Sequence, residues 1–221
     1  GNKIRFYDAL NDLKELHNLD VYVTGSNSRM LSKDMLSGFR DRGLEIRVHP
    51  LSFTEYYSSV GGDRRSAWTE YLNHGGMPLT LSFEERAAKD SYLKELLSET
   101  YLKDIVEHNG VKDQGDLARL LEVMASYSAR LTNPTNIANT FPNKSVSRNT
   151  VDRYLGYFRD SFLLEESKRY DIRGRRIINV QQKYYFEDLG LMNAVLNFRE
   201  MKTHVLIENA VYNEPIARGY S

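Results

Sequence analysis

Residues 147–162 read SRNTVDRYLGYFRDSF, and this stretch decides the fold of the second half of the chain. Ser147 is of the residue types that cap a helix N-terminus. The apolar residues that follow it share one face of a helix: Val151, Tyr154, Leu155, Phe158 and Phe162. Spacing of this kind predicts an amphipathic helix that begins just after Ser147.

Two helices are predicted before this one and two strands after it. The first helix carries an apolar stripe of Leu117, Leu120, Leu121, Met124 and Tyr127, and the second, short one covers 134–141. After the capped helix, a charged turn at 171–174 precedes the strand-like segments 177–180 and 184–186. Three helices followed by a β-hairpin is the winged-helix order, which predicts a winged helix over 113–190.

The first 60 residues predict the end of an α/β layer. Asp20–Thr24 is short, β-branched and followed by Gly25, which predicts a buried strand. Apolar residues alternate with charged ones along 44–49, which predicts a half-buried strand ended by Pro50. Ser52 and Glu55 have the spacing of a capping box, so another helix is expected there.

A helical connector is predicted over 61–112. Trp68, Tyr71 and Leu72 share one face of a helix that Gly75 and Gly76 end. A longer helix runs from about 84 to 108, with Gly110 where a C-terminal cap belongs. The expected fold class is therefore mainly α with an α/β remnant.

The composition limits the classes of function. The 221 residues contain 30 basic and 30 acidic side chains, so a uniformly basic nucleic-acid coat is excluded. Cysteine is absent, which excludes disulfides, thiol nucleophiles and cysteine zinc sites and favours a reducing compartment. The five histidines have no metal-ligand spacing, and no apolar run approaches a membrane span. We expect a cytoplasmic protein with no membrane partner.

Small polar side chains follow the predicted strand at 20–24. The carboxyl end of a strand is where open α/β sheets bind ligands, so Ser26 and Asn27 are candidates for contact with a phosphate or an attacking water. Arg40 and Arg42 flank the next turn, and arginine suits the stabilisation of phosphate charge. The alternatives are an ordinary turn at 25–28 and surface ion pairs for the two arginines.

Positive charge is concentrated in the predicted winged helix. Residues 144–184 contain ten basic and five acidic side chains, although the whole chain is neutral. This asymmetry favours contact with DNA. The candidates are Arg148, Asn149 and Arg153 at the start of the third helix and Arg173, Arg175 and Arg176 in the wing. The alternative is a packing or nucleotide-sensing module that does not touch DNA.

Several stretches together resemble a family of prokaryotic AAA-type ATPases. They occur in the family's order along nearly the whole chain: 22–32, 39–53, 75–78, 100–105, 146–151, 184–191 and 207–214. The resemblance implies that 1–60 is the last part of a P-loop ATPase core, followed by the connector and the winged helix. It also implies that 191–221 contains a linker and the first helix of a C-terminal domain likened to restriction endonucleases, with Glu208 and Glu214 on that helix.

The same resemblance assigns roles to the candidate phosphate-site residues. Ser26 and Asn27 would be the sensor, and Arg40 or Arg42 the phosphate-sensing or finger arginine. Asp41 stands where the family pattern usually has glycine, which leaves open which arginine faces the phosphate.

The family's Gly-x-x-x-x-Gly-Lys-Ser/Thr phosphate loop and its magnesium-holding acidic motif are missing from these residues. None of the 14 glycines precedes a lysine. We therefore expect a fragment with no complete catalytic set, which needs a missing N-terminal ATPase segment and binds no ATP or Mg²⁺ unaided.

Three functions follow as hypotheses. The first is a fragment of an AAA-type ATPase whose intact parent uses ATP and Mg²⁺ and couples them to the winged helix. The second is a DNA-binding winged-helix protein without ATP chemistry. The third is an interaction scaffold in which the helix at 84–108 forms the interface of a homo-oligomer.

Overall fold

The computed structural model describes residues 12–13, 16, 18–24, 46–142, 146–171, 176–199 and 202–220, and within these ranges the chain is mainly helical. The helices are α1 Phe53–Val60, α2 Arg64–His74, α3 Arg86–Glu95, α4 Lys103–Asn109, α5 Gln114–Ser126, α6 Pro134–Ala138, α7 Arg148–Asp160, α8 Leu189–Val195 and α9 Thr203–Ala217. The strands are β1 Leu164–Asp171 and β2 Arg176–Phe186.

The predicted helix starts are confirmed where side chains cap them. At α1, the Ser52 hydroxyl accepts a hydrogen bond from the Glu55 backbone N–H, and the Ser52 backbone N–H donates to the Glu55 carboxylate at 2.8 Å. Ser147 caps α7 in the same way, by accepting from the Thr150 N–H. These contacts satisfy backbone donors that a helix start leaves unpaired.

The long helix predicted at 84–108 is present but is not regular throughout. A π-helical segment, Leu96–Leu102, separates α3 from α4. Gly110 ends α4 with a left-handed backbone (φ 59°), which confirms its predicted capping role. The wider turn has no signal in the apolar spacing, so the sequence did not predict it.

The order of three helices and a hairpin is observed in α5, α6, α7, β1 and β2, but the predicted strands are wrong in detail. The segments 177–180 and 184–186 both belong to β2, and the other strand, β1, runs over Leu164–Asp171 and reaches the start of the predicted turn. The two strands pair antiparallel, with Leu164 opposite Phe186 and a register shift between Lys168 and Arg169. The turn at 172–175 lies outside the described residues. The identification of this unit as a winged helix, and the proposed boundaries at 60, 112 and 190, stay predictions.

One core cluster of buried side chains extends from α1 to α9. Its fully buried members include Leu93, Leu120, Met124, Phe158 and Phe186. Helix α8 is buried on every side and packs against α2, α3 and α5, as expected for a short helix that is apolar all round.

The two strands predicted in the first 60 residues are wrong for the part that the structure describes. Residues 20–24 and 46–50 have no regular secondary structure. Tyr22, Ile46 and Val48 are 84%, 70% and 88% exposed, whereas a half-buried strand would cover its apolar side chains. The alternation is inverted at 46–49, because the polar side chains face the helical body and the apolar ones face solvent.

Candidate functional site

The structure places some of the predicted site residues and leaves others undescribed. Ser26, Asn27, Arg40, Arg42, Arg173 and Arg175 lie outside the described residues, and Arg176 is described as part of β2 without its side chain. Arg148, Asn149 and Arg153 are exposed on the first two turns of α7. In the described part of the chain, no salt bridge joins Arg148 or Arg153 to a carboxylate.

Two of the ten basic residues in the predicted winged helix are neutralised within the fold. Arg159 pairs with Glu166, and the Lys183 ammonium lies 2.6 Å from a carboxylate oxygen of Glu208. On α7, the basic side chains that could contact a polyanion, Arg148 and Arg153, therefore lie near its start, whereas Arg159 near its end is already paired.

A second group of residues, four of them polar and one aromatic, joins the segment before α1 to the hairpin, and we call it the junction. It consists of Arg47, His49, Phe162, Glu165 and Glu187. The Arg47 guanidinium pairs with both Glu165 and Glu187, and its Cζ lies 4.7 Å from the centroid of the Phe162 ring. His49 Nδ1 lies 3.3 Å from the other Glu187 oxygen.

Local backbone structure explains how the hairpin presents its part of the junction. Phe162 follows α7 with a positive φ of 56°, a conformation that is rare for a bulky residue, and its N–H donates to the Arg159 carbonyl at 3.0 Å. The Glu187 N–H donates to the Leu163 carbonyl at 3.2 Å, just beyond the last paired residues of β1 and β2. Glu187 is thereby held close to Phe162.

The charged groups of the junction are partly shielded from solvent. The Glu187 side chain is 7% exposed and that of Arg47 is 33% exposed. Burial and then the charge of Arg47 lower the pKa of His49, while Glu165 acts in the opposite direction. His49 is therefore neutral at pH 7, so Arg47 supplies the positive charge that balances the buried carboxylate.

A cleft of about 360 Å³ opens beside the junction. Its lining includes Arg47, His49, Met77, Tyr101, Phe162 and Glu187. Four of the stretches that suggested the AAA resemblance, 39–53, 75–78, 100–105 and 184–191, contribute residues to this lining. A concave site where separate chain segments bring polar groups together is a typical place for binding.

Tyr101 is a neutral hydroxyl in this cleft. Burial, followed by the charge of Asp188, raises the pKa of Tyr101 to about 12. Its O–H can therefore donate a hydrogen bond to a ligand throughout the neutral pH range.

Below the cleft, a buried aspartate fixes α2 against α8. Asp188 accepts a hydrogen bond from the Gly76 N–H at 2.6 Å and caps α8 by accepting from the Leu191 N–H at 2.9 Å. A Cβ on Gly75, whose φ is +70°, would lie 2.3 Å from both carboxylate oxygens. Burial raises the pKa of Asp188 to about 6, although the backbone donors favour its ionised form.

The segment that carries Arg47 is also hydrogen-bonded to α2. The Leu51 N–H donates to the Gly76 carbonyl at 2.8 Å, and the Tyr71 hydroxyl donates to the Leu51 carbonyl at 3.0 Å. Residues 46–51 therefore contact both the hairpin and the end of α2.

Helix α9 contacts the end of β2 through side-chain amides. Asn209 accepts from the Ser128 hydroxyl and the Phe186 N–H, and it donates to the Phe186 carbonyl at 2.7 Å. Glu208, which the resemblance places in a nuclease-like domain, here pairs with Lys183 and accepts from the Tyr185 hydroxyl at 3.0 Å. In this structure the stretch 207–214 therefore stabilises the hairpin.

The described residues contain no group of three or more His, Asp or Glu side chains that could hold a metal ion. None of the helices in the described ranges has the length and apolar content of a membrane span. The cleft is lined by charged and aromatic side chains, and the junction joins chain segments that are distant in sequence.

The junction was missed at the sequence level. The alternation at 44–49 assigns Arg47 and His49 to the solvent side of a strand, and nothing in the spacing identifies Glu187 as their partner. One indirect indication is present in the sequence: the stretches 39–53 and 184–191 both belong to the AAA resemblance. That these two stretches contact each other is seen only in the folded chain.

Two known protein families match parts of the chain. The chain belongs to the family described as "Domain of unknown function (DUF8612)", which matches residues 65–202. A second family, described as "AAA domain", matches residues 4–57. The AAA match ends inside α1, so Arg47 and His49 lie within it and their partners on the hairpin lie within the other match.

Two curated relatives cover almost the whole chain. An uncharacterised protein of Haemophilus influenzae is 32% identical over 219 residues, which is 96% of this chain and 54% of the relative. An uncharacterised protein of Methanocaldococcus jannaschii is 27% identical over 230 residues, which is 98% of this chain and 50% of the relative. The chain thus spans about half the length of these relatives. No solved structure gives a significant match.

Proposed function

We propose that the chain is the coupling part of an AAA-type ATPase, which transmits changes in a nucleotide-binding layer to a winged-helix unit. The observation that carries this proposal is the contact of Arg47 and His49 with Glu187. It joins the end of the AAA-matched segment to the end of the hairpin through a buried carboxylate.

A coupling role needs contacts that differ between two states. Movement of residues 46–51 would break the pairs of Arg47 with Glu165 and Glu187 and the hydrogen bond between Leu51 and Gly76. The Glu187 carboxylate would then be buried without a cation, which is costly. The hairpin end is therefore expected to move with the segment or to change its contacts.

ATP and Mg²⁺ are the cofactors proposed for a longer protein, and the residues of this chain do not assemble their site. No glycine precedes a lysine in the 221 residues, so the phosphate loop is absent. The contribution assigned to this chain is the contact between the AAA-matched segment and the hairpin, and no step of hydrolysis is assigned to its residues.

The test uses the full-length Haemophilus influenzae relative. We expect Mg²⁺-dependent ATP hydrolysis, together with an ATP-dependent change in amide hydrogen exchange in the segments that align with 46–51 and 162–187. Replacement of the residue aligned with Arg47 by Ala should leave ATP binding intact and abolish the change in the hairpin segment. The residue aligned with Arg64 provides a matched control, because Arg64 is an exposed arginine at the start of α2.

Two results would refute the proposal. One is the absence of ATP binding by the full-length relative. The other is hydrogen exchange in the hairpin segment that is identical with and without ATP.

A second candidate function is DNA binding through α7. It is favoured by the exposed Arg148, Asn149 and Arg153 at the start of that helix, where a recognition helix contacts bases. The rival role for the same unit is structural, and DNA affinity separates the two.

Fluorescence anisotropy with a labelled duplex at several salt concentrations tests this candidate. The variant Arg148→Ala/Arg153→Ala should bind at least roughly tenfold more weakly and lower the salt slope by about 2. Arg159→Ala is the matched control, because Arg159 lies on the same helix but pairs with Glu166. Equal loss in both variants, or no binding by the unmodified chain, would exclude this function for α7.

A further inference from the structure

We propose that Phe162, Glu165 and Glu187 form an exchangeable guanidinium-binding site, occupied in this structure by Arg47 and open to an arginine side chain of a partner protein when Arg47 withdraws. This inference rests on the proposed function, because movement of residues 46–51 is what would withdraw Arg47 from the site. The existence of the site depends on the geometry of the hairpin end alone.

The three side chains suit a guanidinium group in particular. The Nη2 group of Arg47 donates to both carboxylates, those of Glu165 and Glu187, and the Phe162 ring lies against its guanidinium carbon. The 4.7 Å separation of Arg47 and Phe162 is the shortest cation–π distance in the described part of the chain, where the other pairs lie at 5.6–6.0 Å. A guanidinium suits this arrangement because its weakly hydrated plane packs on an aromatic ring while its N–H groups reach the carboxylates, whereas a lysine ammonium is a compact and strongly hydrated charge.

The backbone conformation of Phe162 sets the position of its ring. Its left-handed conformation is strained for a phenylalanine, and strain of this kind persists where the surrounding structure requires it. Here it directs the ring onto the guanidinium.

Arg47 has the features of a tethered ligand that can leave. It lies in a segment without regular secondary structure, between the exposed residues Ile46 and Val48. Segments with few buried apolar contacts open at low free-energy cost. Its side chain is 33% exposed and lines the 360 Å³ cleft, so a second arginine has a route to the same carboxylates.

Exchange is favoured over a vacant site. The Glu187 side chain is only 7% exposed, and a buried carboxylate without a cation is unfavourable. When Arg47 withdraws, binding of another cation beside Glu187 is therefore favourable. A guanidinium group of a partner protein can make the same contacts with Phe162, Glu165 and Glu187 that Arg47 makes in this structure.

The experiment measures binding of ethylguanidinium to the 221-residue chain in the absence of nucleotide. Thermal unfolding and NMR titration should show that Arg47→Ala binds ethylguanidinium with millimolar affinity and that binding raises its melting temperature. The unmodified chain should bind at least roughly tenfold more weakly, because tethered Arg47 competes for the site. Ethylammonium should bind Arg47→Ala at least roughly tenfold more weakly than ethylguanidinium, because an ammonium is more strongly hydrated and packs less well on the Phe162 ring.

Two further variants complete the design. Arg64→Ala is the matched control, because Arg64 lies 6.0 Å from the Phe53 and Tyr57 ring centroids without belonging to the junction. Ethylguanidinium should not stabilise it. Adding Glu187→Gln to the Arg47→Ala variant should weaken ethylguanidinium binding at least roughly tenfold. If Arg47→Ala does not fold, Arg47→Gln replaces it, because glutamine keeps a long polar side chain.

The site would be refuted if ethylguanidinium failed to bind a folded Arg47 variant, or if it stabilised the Arg64 variant equally. This measurement involves no ATP, so its failure leaves the coupling proposal standing. Failure of the ATP-dependent exchange experiment likewise leaves guanidinium binding intact.

Discussion

The carboxylate of Asp188 accepts a hydrogen bond from the backbone N–H of Gly76 at 2.6 Å, across 112 residues of sequence. The same side chain caps α8 through the Leu191 N–H at 2.9 Å. One buried group thus connects the end of α2 to the start of α8, directly below the cleft that contains the junction.

We predict that Asp188→Asn destabilises the chain by about 2 kcal/mol at pH 7, because the amide has one acceptor oxygen for two backbone donors in a buried site. Denaturation in urea measures the loss. Asp63→Asn is the control, because Asp63 caps α2 at an exposed position by accepting from the Ser66 N–H. An equal effect of both substitutions would contradict the buried contact.

The same aspartate gives a pH dependence of known sign. Burial raises its pKa from 3.8 to about 6, so the folded state binds more protons than the unfolded state between these values. The part of its stabilisation that comes from proton binding is therefore largest at low pH and is lost as the pH rises through 6, whereas the hydrogen bonds to Gly76 and Leu191 still contribute at pH 7. The difference in unfolding free energy between the unmodified chain and Asp188→Asn should grow by about 1 kcal/mol from pH 7 to pH 5. A difference that shrinks over this range would show that Asp188 remains ionised when folded.

A third prediction concerns the glycine beside this aspartate. Gly75→Ala should cost at least about 3 kcal/mol, because the new Cβ collides with the Asp188 carboxylate in addition to the strain of a left-handed backbone. Gly62→Ala separates the two causes, since Gly62 has a φ of +73° with nothing within 4 Å of the added Cβ. That control should lose about 1 kcal/mol from backbone strain alone. Thermal unfolding of the two variants would contradict the steric explanation if their losses were equal.

How far the sequence predicts this structure depends on the range of the interactions involved. The caps at Ser52, Ser147 and Gly110 and the stripe of α7 are local patterns, and each is confirmed. The helical body with a small β component is likewise predicted from periodicity.

Long-range contacts could not be predicted in the same way. The alternation of apolar and charged residues predicts that Ile46 and Val48 lie in a sheet. In the described part of the chain no strand pairs with them. Asp188 and Glu187 look like ordinary polar residues after a strand until the fold brings Gly76 and Arg47 to them. The phosphate-site candidates at 26–27 and 40–42 lie outside the described residues, so their roles stay predictions.

The fourth prediction tests the attachment of α9. Asn209 is fully buried and satisfies both backbone groups of Phe186 as well as the Ser128 hydroxyl. Asn209→Ala should cost about 3 kcal/mol, because it removes the partners of the buried Phe186 N–H and Ser128 hydroxyl, while the Phe186 carbonyl keeps the Asn213 amide as a donor. Ser128→Ala, which removes one of the three bonds, should cost about 1 kcal/mol. Urea denaturation compares the two, and a small loss for Asn209→Ala would show that α9 contributes little to the stability of the hairpin.

The fifth prediction concerns a buried charge network that responds to pH in the opposite direction to Asp188. His74 is almost fully buried, with Nδ1 3.0 Å from Glu70 and Nε2 2.9 Å from Asp90, and Lys89 lies 2.6 Å from the same Glu70 oxygen. Interaction with His74 and then with Lys89 lowers the pKa of Glu70 to about 2, while burial acts in the opposite direction.

A depressed carboxylate pKa stabilises the folded state above the unfolded value of about 4.5, and this stabilisation is lost as the pH falls through 2. Glu70→Gln should therefore be less stable than the unmodified chain at pH 7, and the difference should shrink steadily between pH 4.5 and pH 2. Glu99→Gln is the control, because Glu99 forms an exposed pair with Lys103 at 3.7 Å and such pairs contribute little. Since protonation of Asp188 stabilises the fold over pH 6 to 4 while protonation of Glu70 destabilises it below 4.5, the combined contribution of these two groups to stability should be largest in mildly acidic solution. A stability maximum at neutral pH in the unmodified chain, unchanged in both Asp188→Asn and Glu70→Gln, would contradict the assignment of these two groups.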